Sequence, residues 1–192
     1  MSAREDVLDE LKELGVRDSK LLAPWRRAVL YTEVLRLCDR VHTEEIQPGE
    51  IDVVVTTGKR YRKLNFLEAT YMARIADRLG AAHVLVDAPD TVPSRFQRNI
   101  VESMKTRCRV TAMHHADSEY VVVSAASIVA KVERDRAVER LRQRYGDFGS
   151  GYPSDPKTRA FLLSILRRGE EMPGFVRRSW KTLLRLGLPG LP

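Results

Sequence analysis

Two carboxylates in the middle of the chain lie where they could share a metal ion. Asp87 ends the short apolar run 84–86, and Asp117 follows the adjacent residues His114 and His115. Carboxylate oxygens are the ligands that Mg²⁺ and Mn²⁺ prefer, and these ions keep waters that substrate phosphates can displace. A shared site of this kind indicates two-metal hydrolysis of a phosphodiester. Acids at strand ends are also common turn and cap residues, and by spacing alone that structural interpretation is the stronger one.

The two histidines carry less information than the acids. They adjoin each other in a segment that reads as extended, so their side chains are expected to point to opposite faces. We therefore interpret one of them as an ordinary polar residue at a strand end.

Groups that could hold a nucleic acid follow the second acid. The small residues 124–127 start a predicted helix, where free N–H groups could hold an anion or where small side chains could only permit close packing. Lys131 and Arg134, on the same helix, are either phosphate contacts or exposed helix residues. Tyr152, in a GSGYP turn, offers a ring and a hydroxyl that could stack on a sugar and test for a 2′-hydroxyl. A tyrosine in such a turn is more often a packing residue.

Hydrophobic periodicity predicts the elements that would position these residues. Strands at 82–86 and 107–113 alternate with helices at 93–105 and 124–145. This order of elements builds a parallel sheet, and functional sites in such folds gather at the carboxyl ends of the strands. Both acids are therefore expected at the same edge of the sheet.

Further elements are predicted on both sides of this unit. A first helix ends at Gly15, and a second begins at Pro24. The β-rich segment 51–56 predicts a short strand, and Asp155 suits the N-cap of a helix that runs to residue 166. The apolar positions of the second helix are Trp25, Val29, Leu30, Val34 and Leu37.

Composition predicts a single soluble domain with a polyanionic partner. The 192 residues are 43% hydrophobic and 31% charged, and no apolar run is long enough to span a bilayer. The charged start of the chain lacks the features of a secretory signal, so we expect a cytoplasmic protein with no membrane partner. Cys38 and Cys108 are far apart, which predicts buried thiols and neither a disulfide nor a zinc site. The net charge of +7 favours a nucleic acid, although a solvated basic face explains it equally well.

Six segments of the sequence resemble type 2 ribonuclease H (RNase HII) in its archaeal form. They occur in the family's order and cover nearly the whole chain, which makes them far more specific together than any one alone. The segments are GVRDSKLL (15–22), LNFLEATYMARI (64–75), VLVDAPD (84–90), HHADSEYVVVSAASIVAKVERD (114–135), GSGYPSDPKT (149–158) and VRRSWKT (176–182).

The resemblance implies an activity and a role for each motif residue. The family cuts the RNA strand of RNA/DNA hybrids and incises duplex DNA at embedded ribonucleotides, with Mg²⁺ or Mn²⁺ held by four carboxylates. Asp87 and Asp117 resemble the third and fourth of these catalytic metal ligands. Tyr152 resembles the tyrosine that stacks at the RNA–DNA junction, and Lys20 and Lys131 resemble phosphate contacts.

The resemblance also implies a fold and a division of the chain. We expect an RNase H-like α/β domain, a mixed sheet with flanking helices, over residues 1–146. A helical C-terminal segment, 147–192, is expected to contribute to substrate binding. The protein is expected to be a monomer.

One segment of the family has no counterpart in these 192 residues. The family opens with a strand that carries an Asp-Glu pair and then Ala-Gly-Arg-Gly-Pro, which supply two metal ligands and the loop that senses the 2′-hydroxyl. We therefore expect the first strands of the fold to be missing and the chain as given to be inactive or weak, either because the start codon lies inside the gene or because the sequence is a fragment. Two other interpretations stay open: a non-catalytic protein that binds hybrids or other nucleic acids, and a structural or interaction protein.

Overall fold

The structure is a computed structural model that describes residues 1–16, 22–58, 64–181 and 183. These residues form a mixed α/β arrangement in which helices predominate over two short strands. After a 3₁₀ turn at Glu5–Val7, the elements follow in this order: α1 (Leu8–Glu13), α2 (Pro24–Leu37), α3 (Pro48–Thr57), α4 (Leu64–Leu79), β1 (His83–Asp87), α5 (Pro93–Ser103), β2 (Arg109–Met113), α6 (Ala116–Glu119), α7 (Val121–Tyr145) and α8 (Pro156–Arg167). None of the helices described is both long and apolar enough to cross a membrane.

The chain divides into two compact units. The first unit comprises Met1–Glu44 and Asn65–Glu133, and the second comprises Glu45–Leu64 and Arg134–Pro192. Both strands belong to the first unit. The boundary predicted after residue 146 lies inside the second unit, and the assignment of separate functions to the two predicted domains stays a prediction.

Strands β1 and β2 form a parallel pair, as the alternation of strands and helices predicted. Their register runs from His83 opposite Arg109 to Asp87 opposite Met113. Beyond the paired residues, the Ala88 N–H donates to the Met113 carbonyl at 2.9 Å. The two strands therefore end together, and Asp87 lies at their shared carboxyl edge.

Helix α5 buries the apolar side of this strand pair. Phe96 and Ile100 are fully buried and contact small and branched residues of α4 and of both strands: Ala69, Ala73, Val86, Val110 and Ala112. Truncating a buried phenylalanine to alanine costs about 3–5 kcal/mol. This cluster therefore fixes the position of β1, whose last residue is Asp87.

Helix α2 presents a narrower apolar face than its sequence predicted. Leu30 and Val34 are buried against residues of α1 and α7, whereas Trp25 is 69% exposed and Val29 48% exposed. At 3.6 residues per turn, Trp25 lies about 140° and Val29 about 100° around the helix from Leu30. These two apolar positions of the helix therefore lie away from its buried face.

The segment predicted as a strand at 51–56 is instead part of helix α3. Pro48 occupies its first turn, and the hydroxyls of Thr56 and Thr57 donate back to carbonyls four residues earlier. A strand needs a neighbouring strand for its backbone groups, whereas a helix satisfies them within the segment. Helix α3 contributes one buried residue, Asp52, whose carboxylate accepts the backbone N–H groups of Arg178 and Ser179 at 2.8 Å each.

Aromatic residues build the core of the second unit. The rings of Phe148, Phe161 and Phe175 lie with their centroids 5.4 to 6.4 Å apart. Beside them, Leu162 and Val176 are buried in an apolar cluster. Phe148 is itself buried, so it anchors the start of the GSGYP loop.

The two cysteines are free thiols, as expected, but both are half-buried and not fully buried. Burial raises the pKa of the Cys38 thiol to about 11. The thiolate is the reactive form of cysteine, so Cys38 is an unreactive packing residue at neutral pH.

Candidate active site

A hydrogen bond links Asp87 to the backbone just before Asp117. The carboxylate Oδ1 of Asp87 accepts the N–H of Ala116 at 3.3 Å. Ala116 is buried and is the first residue of α6, so Asp117 follows directly at the edge where β1 ends. Both acids are half-buried. The structure thus places the backbone of Ala116, the residue before Asp117, against the carboxylate of Asp87.

The histidine pair forms the turn between β2 and α6. His115 has a left-handed backbone, with φ 57° and ψ 32°, and its carbonyl accepts the N–H of Ser118 at 2.9 Å. Histidine is one of the few residues other than glycine that are enriched in this conformation. Both side chains are exposed. The prediction that the pair is extended was therefore wrong at His115, which redirects the chain so that Asp117 reaches the strand edge.

The donor chemistry of this edge fits a hard divalent cation in part. Two carboxylates supply oxygen ligands of the kind that Mg²⁺ and Mn²⁺ prefer. Over the described residues, no group of three or more His, Cys, Asp or Glu side chains could hold a metal ion. A cavity of about 50 Å³ opens beside Asp117, with Lys12 and Ser124 in its wall. The described part of the chain therefore does not contain a full ligand set, and the assignment of Asp87 and Asp117 as metal ligands stays a prediction.

The small residues at 124–127 do not start their helix. Helix α7 begins at Val121, and the N–H of Ser124 donates to the carbonyl of Tyr120 at 3.1 Å. The Ser124 hydroxyl donates to the carbonyl of Val16, and Ser124 and Ala125 are buried. Because this N–H lies inside the helix, it cannot hold an anion. The packing interpretation of these residues is the one that the structure confirms.

Of the two lysines predicted to contact phosphates, the structure describes only one. Lys131 is half-buried on α7. Lys20 lies outside the described residues. Both assignments stay predictions.

Tyr152 lies in the GSGYP loop of the second unit and is 53% exposed. The guanidinium carbon of Arg134 lies 4.0 Å from the centroid of its ring. Just after the loop, the carboxylate of Asp155 accepts the N–H of Lys157 at 2.9 Å, which confirms Asp155 as the N-cap of α8. Sequence reasoning treated Arg134 only as a phosphate contact or a solvated residue. Its contact with a ring 18 residues later has no local signal in the sequence.

The chain is similar to known proteins in both sequence and structure. The family model of ribonuclease HII matches residues 2–183. Ribonuclease HII of Thermococcus onnurineus is 42% identical over 182 residues, which cover 95% of this chain and 78% of that protein. Ribonuclease H2 from Pyrococcus horikoshii OT3 superposes with a TM-score of 0.84 at 38% identity, covering 96% of this chain and 85% of that one. Ribonuclease HII of Archaeoglobus fulgidus, solved in a complex with PCNA, gives a TM-score of 0.81 at 41% identity, with 91% and 82% covered.

The solved structures place the chain among α/β proteins of the RNase H-like fold, as the sequence predicted. Within that fold, the chain belongs to the ribonuclease HII family, the type 2 ribonucleases H. The resemblance drawn from six sequence segments is thereby confirmed. The site residues that were assigned through it stay predictions.

Proposed function

We propose that the protein is an endoribonuclease that hydrolyses the RNA strand of RNA/DNA hybrids and incises duplex DNA at embedded ribonucleotides. The observation that carries the proposal is the bond from the Ala116 N–H to Asp87, because it holds the residue before Asp117 against the acid that ends a parallel strand pair. Membership of the ribonuclease HII family supports the same activity. The reaction is an attack of water at phosphorus with inversion, which leaves a 5′-phosphate and a 3′-hydroxyl.

Asp87 and Asp117 are the proposed metal ligands, for Mg²⁺ or Mn²⁺. When bound, such a cation activates water and stabilises the charge that develops on the phosphate. The contribution of the chain is positional. The Ala116 N–H restrains the Asp87 carboxylate, and α6 fixes the backbone of Asp117.

Tyr152, Lys131 and Lys20 are the proposed substrate contacts. The half-exposed ring of Tyr152 offers a face for stacking on the ribose and a hydroxyl for sensing its 2′-hydroxyl. The lysines would contact phosphates, which orient the substrate without reading its sequence. A net charge of +7 favours a polyanionic substrate. We further propose that the protein acts as a monomer in the cytoplasm.

Cleavage of a DNA duplex with one embedded ribonucleotide tests the activity. The 192-residue chain is compared, in Mg²⁺ and in Mn²⁺, with a form extended upstream to the nearest in-frame start codon. We expect the 192-residue chain to cut weakly or not at all, because the two acids proposed as metal ligands are too few to set metal ions in register with a scissile phosphate, and stronger cleavage by the longer form would support the proposed activity. Equal cleavage by both forms would show that another carboxylate completes the metal site. Failure of both forms would overturn the proposed activity.

A second candidate is a protein that binds hybrids or other nucleic acids without cleaving them. One observation favours it: the part of the chain that the structure describes has no cluster of three or more metal-ligating side chains. Such a protein binds without a metal, and its affinity falls steeply with salt because phosphate contacts dominate. Binding is therefore measured in EDTA over a series of salt concentrations, beside the cleavage assay. Tight metal-free binding with no cleavage by either form supports this candidate over the enzyme.

A further inference from the structure

One arginine contacts both the ring of Tyr152 and the backbone of the loop that carries it. The guanidinium of Arg134 lies over the ring, with its central carbon 4.0 Å from the ring centroid. Its Nη2 also donates to the carbonyl of Ser150 at 2.7 Å. A planar guanidinium can make both contacts at once because its face and its edge offer different interactions.

Several other side chains hold the loop backbone, among them Asp155 and Thr158. Asp155 accepts the N–H of Ser150 at 2.7 Å through Oδ2. The buried hydroxyl of Thr158 accepts the N–H of Gly151 at 3.1 Å and donates to the Phe148 carbonyl at 2.8 Å. These contacts hold the backbone on either side of Ser150. They do not touch the Tyr152 ring, which still exposes more than half of the residue to solvent.

From this geometry we infer that Arg134 is a positioning residue for Tyr152, which holds one face of the ring and the loop before it so that the ring meets the ribose in a fixed orientation. The inference rests on the proposed role of Tyr152 at the ribose. Arg134 itself need not touch the substrate. Its side chain is 35% exposed, and its Nη1 lies 3.3 Å from a carboxylate oxygen of Asp135, so the guanidinium is already committed to protein partners.

The substitution Arg134→Lys distinguishes a role in positioning Tyr152 from a direct contact with a phosphate. Lysine keeps the positive charge but loses the planar face and the fork of donors. A phosphate contact would survive this change largely intact, because lysine also binds phosphates as a point charge. The matched control is Arg36→Lys on α2, where the arginine forms an exposed ion pair with Glu33.

The first measurement is hydrogen exchange of the loop amides at 149–152 in the 192-residue chain, which needs no activity. Loss of one charged hydrogen bond and one cation–π contact should speed their exchange about tenfold in Arg134→Lys. Arg36→Lys should leave the exchange unchanged. Unchanged loop exchange in Arg134→Lys overturns the positioning role.

The second measurement is cleavage at a single embedded ribonucleotide, in whichever form of the protein cuts. We expect Arg134→Lys to lower kcat about tenfold with little change in KM, since orientation acts on the reacting complex. In a Tyr152→Ala background the same substitution should have no further effect, because Arg134 acts through that ring. The inference is overturned if the losses of kcat from Arg134→Lys and Tyr152→Ala multiply in the double variant, or if Arg134→Lys keeps full activity. In both cases the proposed function stands. A loosened loop with no cleavage by any form overturns the proposed function, and the role at the ribose with it, and leaves only the contact by which Arg134 holds the ring and the loop.

Discussion

The strand-end acids and the loop tyrosine are held in position by different means. Asp87 and Asp117 sit on backbone that two parallel strands and the short helix α6 define, and the N–H of Ala116, the residue before Asp117, donates to Asp87 at 3.3 Å. Tyr152 sits on a loop whose position depends on side chains, among them Arg134 and Asp155. The acids therefore owe their geometry to the fold, whereas the tyrosine owes its geometry to a few individual residues.

This difference predicts where substitutions act. Changing a side chain near the strand edge should leave the geometry of the acids intact, because the sheet and the packed core fix it. Changing a side chain near the loop should move the tyrosine without unfolding the protein. A substitution that removes charge at the strand-end acids and one that shifts the Tyr152 ring can therefore be tested separately.

The largest effect is expected from Asp87→Asn. Asparagine keeps an oxygen that accepts the Ala116 N–H, so the fold should be preserved while the negative charge is lost. Cleavage should fall at least about a hundredfold, roughly the cost of losing one preorganised charge-stabilising group, and hybrid binding should persist. Initial rates on the embedded-ribonucleotide duplex and fluorescence anisotropy of the complex provide the two readouts.

Asp77→Asn is the matched control for the loss of this charge. Asp77 accepts the backbone N–H groups of Lys105 and Thr106, away from the strand-end acids. Its cleavage rate should equal that of the parent protein. If Asp87→Asn also keeps full cleavage, Asp87 is not a metal ligand and the strand edge is structural only.

A smaller effect, on stability, is expected from Gly149→Ala. Gly149 and Gly146 both have positive φ, 78° and 87°. An added Cβ at Gly149 would lie 2.5 Å from an Asp155 carboxylate oxygen, whereas one at Gly146 would meet nothing within 4 Å. Gly146→Ala should lower the free energy of unfolding by about 1 kcal/mol through left-handed strain alone, and Gly149→Ala by about 2–3 kcal/mol through strain and the steric conflict together. Urea unfolding of both variants measures the difference, and equal losses would show that the loop yields to the new methyl group.

The smallest effect is expected on the pH dependence of stability. Hydrogen bonds from Ser150 and Lys157 lower the pKa of Asp155 to about 2, below the value of about 3.9 for an unfolded chain. Between these values the unfolded state binds more protons than the folded state, so stability is present above about pH 4 and is lost as the pH falls toward about 2. Asp155→Asn should flatten this part of the curve, which thermal unfolding across the acid range would record.

Asp90 provides a counterpart in the first unit. Its hydrogen bonds with Arg95 are the main cause that lowers the pKa of its carboxyl to about 2. Asp90→Asn should flatten the same window without loosening the GSGYP loop, whereas Asp155→Asn should do both. If stability falls with pH in Asp155→Asn as it does in the parent protein, the folded loop does not lower the pKa of Asp155.

Local pattern was enough to predict the parallel strand pair but not the contacts of the loop. The run that ends at Asp87 and the alternation of strands with helices predicted a parallel pair, which the structure contains. Segment 51–56 was predicted as a strand because its β-branched residues dominate the local pattern, while the carboxylate of Asp52 finds its partners more than a hundred residues away. Ser124 was mistaken for a helix start because the Tyr120 carbonyl, which accepts its N–H, lies outside the small-residue run. The contact of Arg134 with Tyr152 depends on how a loop returns to a helix, which no periodicity encodes.

The bonds from Asp52 to the backbone of Arg178 and Ser179 have a consequence for the order of folding. They join residues 126 and 127 positions apart, so helix α3 cannot bury its carboxylate with partners until the ribosome has released residue 179. Contacts of such long sequence separation form slowly, because the chain must close a large loop before they contribute. The second unit, with its tyrosine loop, is therefore completed late in synthesis. The strand pair of the first unit has all its residues available some 66 positions earlier, since β2 ends at Met113.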